Sequence, residues 1–341
     1  MKTVFSSTQL QYVGRQEFTA GGFVPCFESP ERAEFVLQAV KSAGLGEIIE
    51  PDYFGVGSLL RVHDADYLTF LETVWGEWEK LFGDVDAFPY CIATRTLNGP
   101  PPDIIQGKMG YYSFALDTPI TSGMWDAARA SANSALTGAS LLFKGEHSAF
   151  ALCRPPGHHA AADLYGGYCF LNNAAVATQW LRDNGTARVA ILDIDYHHGN
   201  GTQSIFYDRD DVFFASIHAD PMQVFPFFLG HADETGDGDG AGYNRNYPLA
   251  KGTGFDKWRE ALQDALHVIQ EFGADVLVVS LGVDTYENDP ISHFKLTSDD
   301  FLTVGKDLAD PGIPTLFLME GGYATEAIGR NVANVLTGFG T

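Results

Sequence analysis

The sequence contains few cysteines and no long apolar run. Its 341 residues include four cysteines (Cys26, Cys91, Cys153 and Cys169), whose irregular spacing forms no CxxC pair. Neither a disulfide scaffold nor a thiolate metal site is therefore expected. No stretch of about eighteen apolar residues occurs, and the first residues, MKTVFSSTQLQYVG, lack an apolar run of signal-peptide length. These absences predict a soluble, cytoplasmic protein with reduced thiols and no transmembrane helix.

Basic residues are also scarce. The chain has 21 Lys and Arg against 44 Asp and Glu, which gives a formal net charge of −23. Because phosphate binding depends on clustered Lys and Arg, neither nucleic acid nor an anionic membrane is expected as a partner. A small cationic substrate would be attracted. An acidic surface that merely keeps the protein dispersed explains the same charge, since physiological salt screens the field within about 8 Å.

No internal repeat, low-complexity tract or Gly/Ser linker divides the chain, so residues 1–341 are predicted to form a single domain. Short apolar runs of mainly β-branched or aromatic residues alternate with patterned helical stretches. This alternation predicts an α/β fold with a mainly parallel sheet and helices on both faces. One interval, at about 71–110, is aromatic-rich and then proline-rich, which suggests an insertion. The apolar runs are 147–153, 187–196, 211–218, 274–284 and 313–320.

Polar residues follow two of these runs. The strand-like segment 189–194 leads into Asp193, Asp195 and His197, which would point to one face of a strand. Two carboxylates and an imidazole are costly to bury unless they are paired or bind a metal. Asp284 follows another apolar run in the same way. Asp195, His197 and Asp284 could hold a divalent cation and leave a position for water, as a catalytic site requires.

Two further stretches are ambiguous when taken alone. His158 and His159 are adjacent in RPPGHHA, a segment too rich in Pro and Gly for a regular helix. This stretch equally fits a turn with incidental imidazoles. Tyr323 follows two glycines in EGGY, after another apolar run, and by itself it would be interpreted as a packing residue.

Five motifs, RPPGHHA, GYCFLNNAA, DIDYHHGNGTQ, SLGVDTYENDP and EGGY, occur in the order and spacing of the arginase/deacetylase superfamily. From about Glu28 to its carboxyl end the sequence resembles histone-deacetylase-like amidohydrolases, and it is most similar to the acetylpolyamine amidohydrolases. The resemblance implies a parallel sheet of about eight strands, and a homodimer formed through the insertion. It also implies one Zn²⁺ on Asp195, His197 and Asp284, where Fe²⁺ or Co²⁺ would also fit the ligand types.

The resemblance further implies catalytic roles. His159 would remove a proton from the attacking water, His158 would be a positively charged helper, and Tyr323 would donate a hydrogen bond to the oxyanion. Asp193 would orient His158. Asn200 stands where class I histone deacetylases have an aspartate behind the second histidine, so His159 would be less basic here. Which histidine protonates the departing amine is left open.

Substrate contacts and potassium sites are implied as well. Tyr168 and Phe225 would form the aromatic walls of a narrow slot, and Asp117 would anchor the substrate. Gly167 and Glu17 complete the expected substrate contacts. One implied potassium site comprises Asp193, Asp195, His197, Ser216 and Ile217, and the other comprises Phe206, Arg209, Val212 and Tyr243.

The activity implied is zinc-dependent hydrolysis of acetylated polyamines. Removal of acetyl groups from lysine in proteins or peptides is the alternative, because nothing at the predicted metal site separates the two. A binuclear ureohydrolase of the same superfamily would need further aspartates at positions 199 and 282, where this chain has glycine. Intact His158, His159 and Tyr323 disfavour a non-catalytic acyl-group binder.

Overall fold

The computed structural model describes residues 1–19, 21–94 and 96–341. Eight strands form one sheet in the order β4-β1-β5-β10-β9-β6-β7-β8, with every neighbouring pair parallel, while β2 and β3 form a separate antiparallel hairpin. The strands are β1 (Lys2–Val4), β2 (Gln16–Thr19), β3 (Gly22–Pro25), β4 (Ile48–Ile49), β5 (Ser148–Ala151), β6 (Val189–Asp193), β7 (Val212–Ala219), β8 (Asn244–Leu249), β9 (Val276–Leu281) and β10 (Thr315–Met319).

Helices cover both faces of this sheet. The helices of the described chain are α1 (Pro30–Ser42), α2 (Val56–Leu59), α3 (Ala65–Phe82), α4 (Ile105–Tyr111), α5 (Met124–Phe143), α6 (Asn173–Asp183), α7 (Asn200–Phe206), α8 (Phe255–Phe272), α9 (Asp300–Ala309) and α10 (Thr325–Phe339). Helices α1, α8, α9 and α10 pack on one face, and α5 and α6 pack on the other. No described helix combines the length and apolar character needed to cross a lipid bilayer.

The central strands have apolar side chains on both sides because helices cover both faces. Every residue of β6, β7, β9 and β10 is buried. Such strands appear in the sequence as continuous apolar runs rather than as alternating patterns. Since the strands are parallel, their carboxyl ends meet at one edge, where the functional groups of the chain are expected.

The predicted α/β fold with an eight-stranded parallel sheet is confirmed. All five apolar runs contain a strand, but β1, β4, β8 and the hairpin were not predicted because they are short or polar. One local prediction was wrong. Strand β6 ends at Asp193, so Asp195 and His197 lie in the turn beyond it and not on one strand face.

The interval at about 71–110 overlaps the second half of α3 and all of α4, with irregular chain between them. The first residues of the interval therefore continue α3, which begins at Ala65. The buried apolar residues of that helix extend to Val74, inside the interval. Arg95 lies outside the described residues. That this interval is an insertion in a single domain of residues 1–341 stays a prediction.

Candidate active site

Three groups that follow neighbouring strands converge at the carboxyl edge of the sheet. Asp195 follows β6 and Asp284 follows β9, while Tyr323 follows β10. Strands β10, β9 and β6 are adjacent in the sheet. All three side chains are at least nine-tenths buried. The sheet thus brings together residues that lie between 39 and 128 positions apart in the sequence.

Asp195, His197 and Asp284 form a compact ligand set whose donor atoms all lie within 4.8 Å of one another. The Nδ1 atom of His197 is 3.2 Å from Oδ1 of Asp195 and 3.1 Å from Oδ2 of Asp284. The other oxygen of each carboxylate accepts a backbone N–H. Gly321 donates to Asp195 at 2.7 Å, and Tyr196 donates to Asp284 at 2.8 Å. In each carboxylate one oxygen faces the imidazole, and in Asp195 that oxygen also accepts the backbone N–H of His197 at 2.9 Å.

This donor set fits a divalent cation. Burial and the negative charge of Asp195 raise the pKa of Asp284 to about 8, because two buried carboxylates resist ionising side by side. A cation between them removes that conflict, and two carboxylates with one neutral imidazole balance a charge of +2. The arrangement can therefore hold a divalent metal ion.

Glycines around the ligand set leave no room for further side chains. A Cβ atom at Gly282 would lie 2.2 Å from Oδ2 of Asp195, and one at Gly199 would lie 2.2 Å from Oδ2 of Asp193. A Cβ at Gly321 would lie 2.5 Å from Asp195. Aspartates at positions 199 and 282, as a binuclear site needs, would collide with the carboxylates already present.

The two adjacent histidines have different partners. Nδ1 of His158 lies 2.9 Å from Oδ2 of Asp193, whereas Nδ1 of His159 lies 2.7 Å from the amide oxygen Oδ1 of Asn200. Burial lowers the pKa of His158, but the charges of Asp193 and Asp195 outweigh it and raise the pKa to about 10. Burial, together with the positive charges of His158 and His197, lowers the pKa of His159 well below its usual value. One ring is thus held cationic and its neighbour neutral.

Tyr323 is held by its backbone and its ring. Oδ2 of Asp289 accepts the N–H groups of Tyr323 at 2.8 Å and of Ala324 at 3.2 Å. The guanidinium of Arg32 lies over the phenol ring, 4.7 Å from its centroid. The sequence indicated only a turn at Asp289, so its contact with Tyr323, 34 residues away, was missed.

A buried ion-pair network packs against the loop that carries Tyr323. Arg32 donates to the carbonyl oxygens of Gly322 at 2.7 Å and Glu320 at 2.6 Å, and it pairs with Glu28. Arg154 donates to both oxygens of Glu28. Two buried guanidinium groups share the single carboxylate of Glu28, so its removal would leave both cations without a counter-charge. None of these three charged residues was identified from the sequence as part of the site.

The site opens into a pocket of about 640 Å³. All five residues predicted to contact substrate line this pocket, together with His159, His197 and Tyr323. Those five residues are Glu17, Asp117, Gly167, Tyr168 and Phe225. The structure therefore brings the predicted substrate contacts and the candidate catalytic groups into one cavity.

One side of the pocket is formed by a strained turn. Tyr168 adopts a positive φ of 67°, which is rare for a residue with a side chain. Oδ1 of Asp117 accepts the N–H of Gly167 at 2.9 Å, and a Cβ at Gly167 would lie 2.3 Å from the His159 ring. The Tyr168 hydroxyl donates to Oε1 of Glu17 at 2.8 Å. Glu17 therefore contributes from the hairpin, far away in the sequence.

The opposite wall contains an aromatic residue that the sequence did not reveal. Phe114 stacks with Phe225, with ring centroids 5.9 Å apart, and both rings approach His159. Tyr168 instead lies against Tyr323, with centroids 5.5 Å apart. The pocket next to the candidate metal site is therefore lined by Phe114 as well as by the two predicted aromatic residues.

The first group of predicted potassium ligands includes Asp195 and His197, which also belong to the candidate metal-ligand set, whereas the second group lies at the amino ends of β7 and β8. Asp193 and Ser216 are paired neighbours in the β6–β7 register, and Ile217 follows on β7. In the second group, the carbonyl of Phe206 accepts the N–H of Arg209 at 3.1 Å, and the carbonyl of Tyr243 accepts the N–H of Phe214 at 2.9 Å. Val212 begins β7. Asp193 and Ser216 of the first group are thus strand neighbours, and potassium at either group stays a prediction.

Comparisons with known proteins agree with this geometry. Residues 26–339 match the model of the histone deacetylase domain. The chain is 54% identical to acetylpolyamine amidohydrolase 2 of Pseudomonas aeruginosa over 339 residues, covering 99% of this chain and 98% of that one. It is 52% identical to the acetylpolyamine amidohydrolase of Mycoplana ramosa, covering 99% of each. It superposes on the crystal structure of an acetylpolyamine aminohydrolase from Burkholderia pseudomallei with a TM-score of 0.95 at 40% identity, covering 100% and 99% of the two chains.

Proposed function

Because this chain belongs to the histone deacetylase family, we propose that it is a zinc-dependent amidohydrolase that removes acetyl groups from acetylated polyamines. One observation carries the proposal: His197 of the ligand set, His159 of the histidine pair and Tyr323 all line one pocket with aromatic walls. Asp195, His197 and Asp284 would hold the ion. When bound, Zn²⁺ supplies polarisation of the amide carbonyl and lowers the pKa of water to about 7.

The residues of the chain supply the proton transfers. His159 is the general base, since its depressed pKa keeps the ring neutral and its Nδ1 contact with Asn200 fixes the ring orientation. His158 stays protonated against Asp193 and stabilises negative charge that develops nearby. The histidine pair also returns a proton to the departing amine. General acid–base catalysis of this kind contributes roughly 10²–10⁴-fold to the rate.

Tyr323 stabilises the oxyanion of the tetrahedral intermediate. Its phenol stays protonated at neutral pH because burial raises its pKa well above 10. Asp289 and Arg32 keep the loop and the ring in place, so the hydroxyl donor needs no rearrangement during the reaction. Such preorganised donors are worth about 10²–10³-fold in kcat.

The pocket supports an acetylated polyamine as substrate. Its aromatic walls fit a slender alkyl chain, and the carboxyl groups of Glu17 and Asp117 lie on the same pocket surface. The relatives at 52–54% identity are named acetylpolyamine amidohydrolases. The overall charge of −23 also favours a cationic substrate. Acetyl-lysine in proteins or peptides is the competing substrate class.

The proposal includes a cytoplasmic homodimer that uses the interval at about 71–110. Exposed apolar side chains are concentrated there, among them Leu81, Tyr90, Leu97 and Ile104, each at least 63% exposed. Apolar patches of this kind mark contact surfaces. The unpaired cysteines support a reducing compartment. Structural potassium at the two predicted groups completes the proposal.

Steady-state kinetics of the zinc-loaded protein tests this function. We expect a higher kcat/KM for N-acetylputrescine or N-acetylspermidine than for an acetyl-lysine peptide of matched acetyl group. A higher kcat/KM for the peptide would replace the polyamine assignment with the competing one. Absence of turnover on every acetylated amine would overturn the amidohydrolase assignment itself.

A further inference from the structure

Glu320 is a fully buried carboxyl group that has no role in the proposed mechanism. Its Oε2 atom accepts two consecutive backbone N–H groups, from Gly157 at 2.7 Å and from His158 at 3.2 Å. No described residue donates to its Oε1 atom. The side chain of Glu320 thus reaches from the loop after β10 to the start of the histidine pair, 162 residues earlier.

The backbone of Glu320 is fixed as firmly as its side chain. Its N–H donates to the carbonyl of Leu281 at 3.0 Å, and its own carbonyl accepts from Arg32 at 2.6 Å. The next residue, Gly321, donates to the ligand carboxylate of Asp195 at 2.7 Å. A carboxylate held at both ends in this way sets the distance between the two loops that it joins.

Those two loops carry the groups that must act together. The histidine loop presents His158 and His159, and the loop from Glu320 onward presents Tyr323 three residues later. A misplacement of about 1 Å between reacting groups can cost roughly 10²-fold in rate. We infer that Glu320 is a positioning residue, whose carboxylate ties the histidine loop to the tyrosine loop and so fixes the separation of general base and oxyanion donor. This inference rests on the proposed roles of His159 and Tyr323.

The inference predicts which side chains can replace Glu320. Glu320→Gln keeps an oxygen at the same reach, and it places the amide nitrogen where Oε1 now lacks a donor. We expect it to retain kcat within about threefold. Glu320→Leu removes the acceptor, and Glu320→Asp keeps a carboxylate but withdraws it by one methylene. Both should lower kcat by about 10- to 100-fold with KM changed less than about threefold.

Thr178→Val is a matched control. Thr178 is fully buried on α6, and its hydroxyl also lacks a partner among the described residues, so this change likewise removes a buried polar atom. Its kcat should equal that of the wild type. In a Tyr323→Phe background, Glu320→Asp should lower kcat by a clearly smaller factor than it does in the wild type. The reason is that the hydroxyl, whose position Glu320 would fix, is absent from that background.

Amide hydrogen exchange supplies a readout that needs no activity. Loss of the acceptor should speed exchange at Gly157 and His158 in Glu320→Leu and Glu320→Asp, but not in Glu320→Gln or Thr178→Val. If Glu320→Leu does not fold, Glu320→Asp decides the question. Wild-type kcat in Glu320→Asp, equal loss in Glu320→Gln, or unchanged exchange would each overturn the inference. The two hypotheses can fail separately. If the wild type is inactive on all acetylated amines while the variants show these exchange differences, the proposed function is wrong but the contact between the two loops is confirmed.

Discussion

The imidazole Nδ1 of His159 lies 2.7 Å from the side-chain oxygen of Asn200, a neutral partner. An amide fixes the direction of the ring without adding negative charge. Its hydrogen bond raises the pKa of His159, but burial and the charges of His158 and His197 outweigh it and keep that pKa well below the usual value. The base therefore stays unprotonated down to a lower pH than a carboxylate-paired histidine would.

Replacing Asn200 with Asp tests this relationship. The new carboxylate should raise the pKa of His159, by roughly one unit. Since the ring must be neutral to accept a proton, the acidic limb of the kcat/KM profile should move to higher pH by a similar amount. The measurement is kcat/KM between pH 5 and 9 for both proteins. An unchanged acidic limb would show that another group controls it.

Tyr323→Phe should lower kcat by about 10²–10³-fold and leave KM nearly unchanged, because the hydroxyl acts mainly on the oxyanion. Tyr247→Phe is the control, since Tyr247 lies on β8 outside the pocket and its hydroxyl donates to Asp264 of α8. Steady-state kinetics on one acetylated amine compares the two variants. Equal rates in Tyr323→Phe and the wild type would mean that the phenol does not contact the reacting group.

Removal of the metal should abolish hydrolysis and lower the melting temperature. An ion present at 100 times its Kd stabilises the folded state by about 2.7 kcal/mol. The pKa of Asp284 is raised to about 8, so protons compete with the ion and metal affinity should weaken as the pH falls. Elemental analysis, thermal melts and activity before and after chelation measure these effects. Full activity in metal-free protein would contradict the assignment of the ligand set.

Gly282→Ala should disable the site by steric conflict alone. The added Cβ would lie 2.2 Å from Oδ2 and 2.5 Å from Cα of Asp195. We expect weaker metal binding, and destabilisation by about 1–3 kcal/mol as for other overpacked positions. In Gly76→Ala, within α3, the new methyl group meets nothing within 4 Å. That control should be neutral or more stable by about 0.5–1 kcal/mol. Urea unfolding and metal titration compare the two; equal results would refute the steric argument.

Glu17 should make recognition of a cationic substrate depend on pH. Burial raises its pKa to about 7, so the carboxyl is neutral below that pH and charged above it. The KM for N-acetylputrescine should therefore fall as the pH rises from 6 to 8, by about three- to tenfold. N-acetylpentylamine, in which a methyl group replaces the ammonium at the same chain length, should show no such fall. Glu17→Gln should remove the difference between the two substrates, and its persistence would place the cation elsewhere.

The features that could be predicted from the sequence are those that depend on a local pattern of residues. Buried strands appear as apolar runs, and residues at their ends, such as Asp195 and Asp284, could be identified because buried carboxylates need a partner or a metal. The contacts that hold these groups were not predictable. Asp289, Phe114 and Arg32 resemble an ordinary turn, core or helix residue, and only the folded chain shows that each touches the site.

The buried contact between Arg32 and Gly322 spans 290 positions. A chain emerging from the ribosome must therefore be almost complete before Arg32 of α1 can bind the loop that carries Tyr323. Until then the guanidinium of Arg32 lacks the carbonyl of Gly322, and the phenol of Tyr323 is not held in position. Partial chains should therefore have no catalytic activity. Long-range closure of this kind is also slow, and the appearance of catalysis should consequently lag behind the formation of helices when the unfolded protein is returned to native conditions.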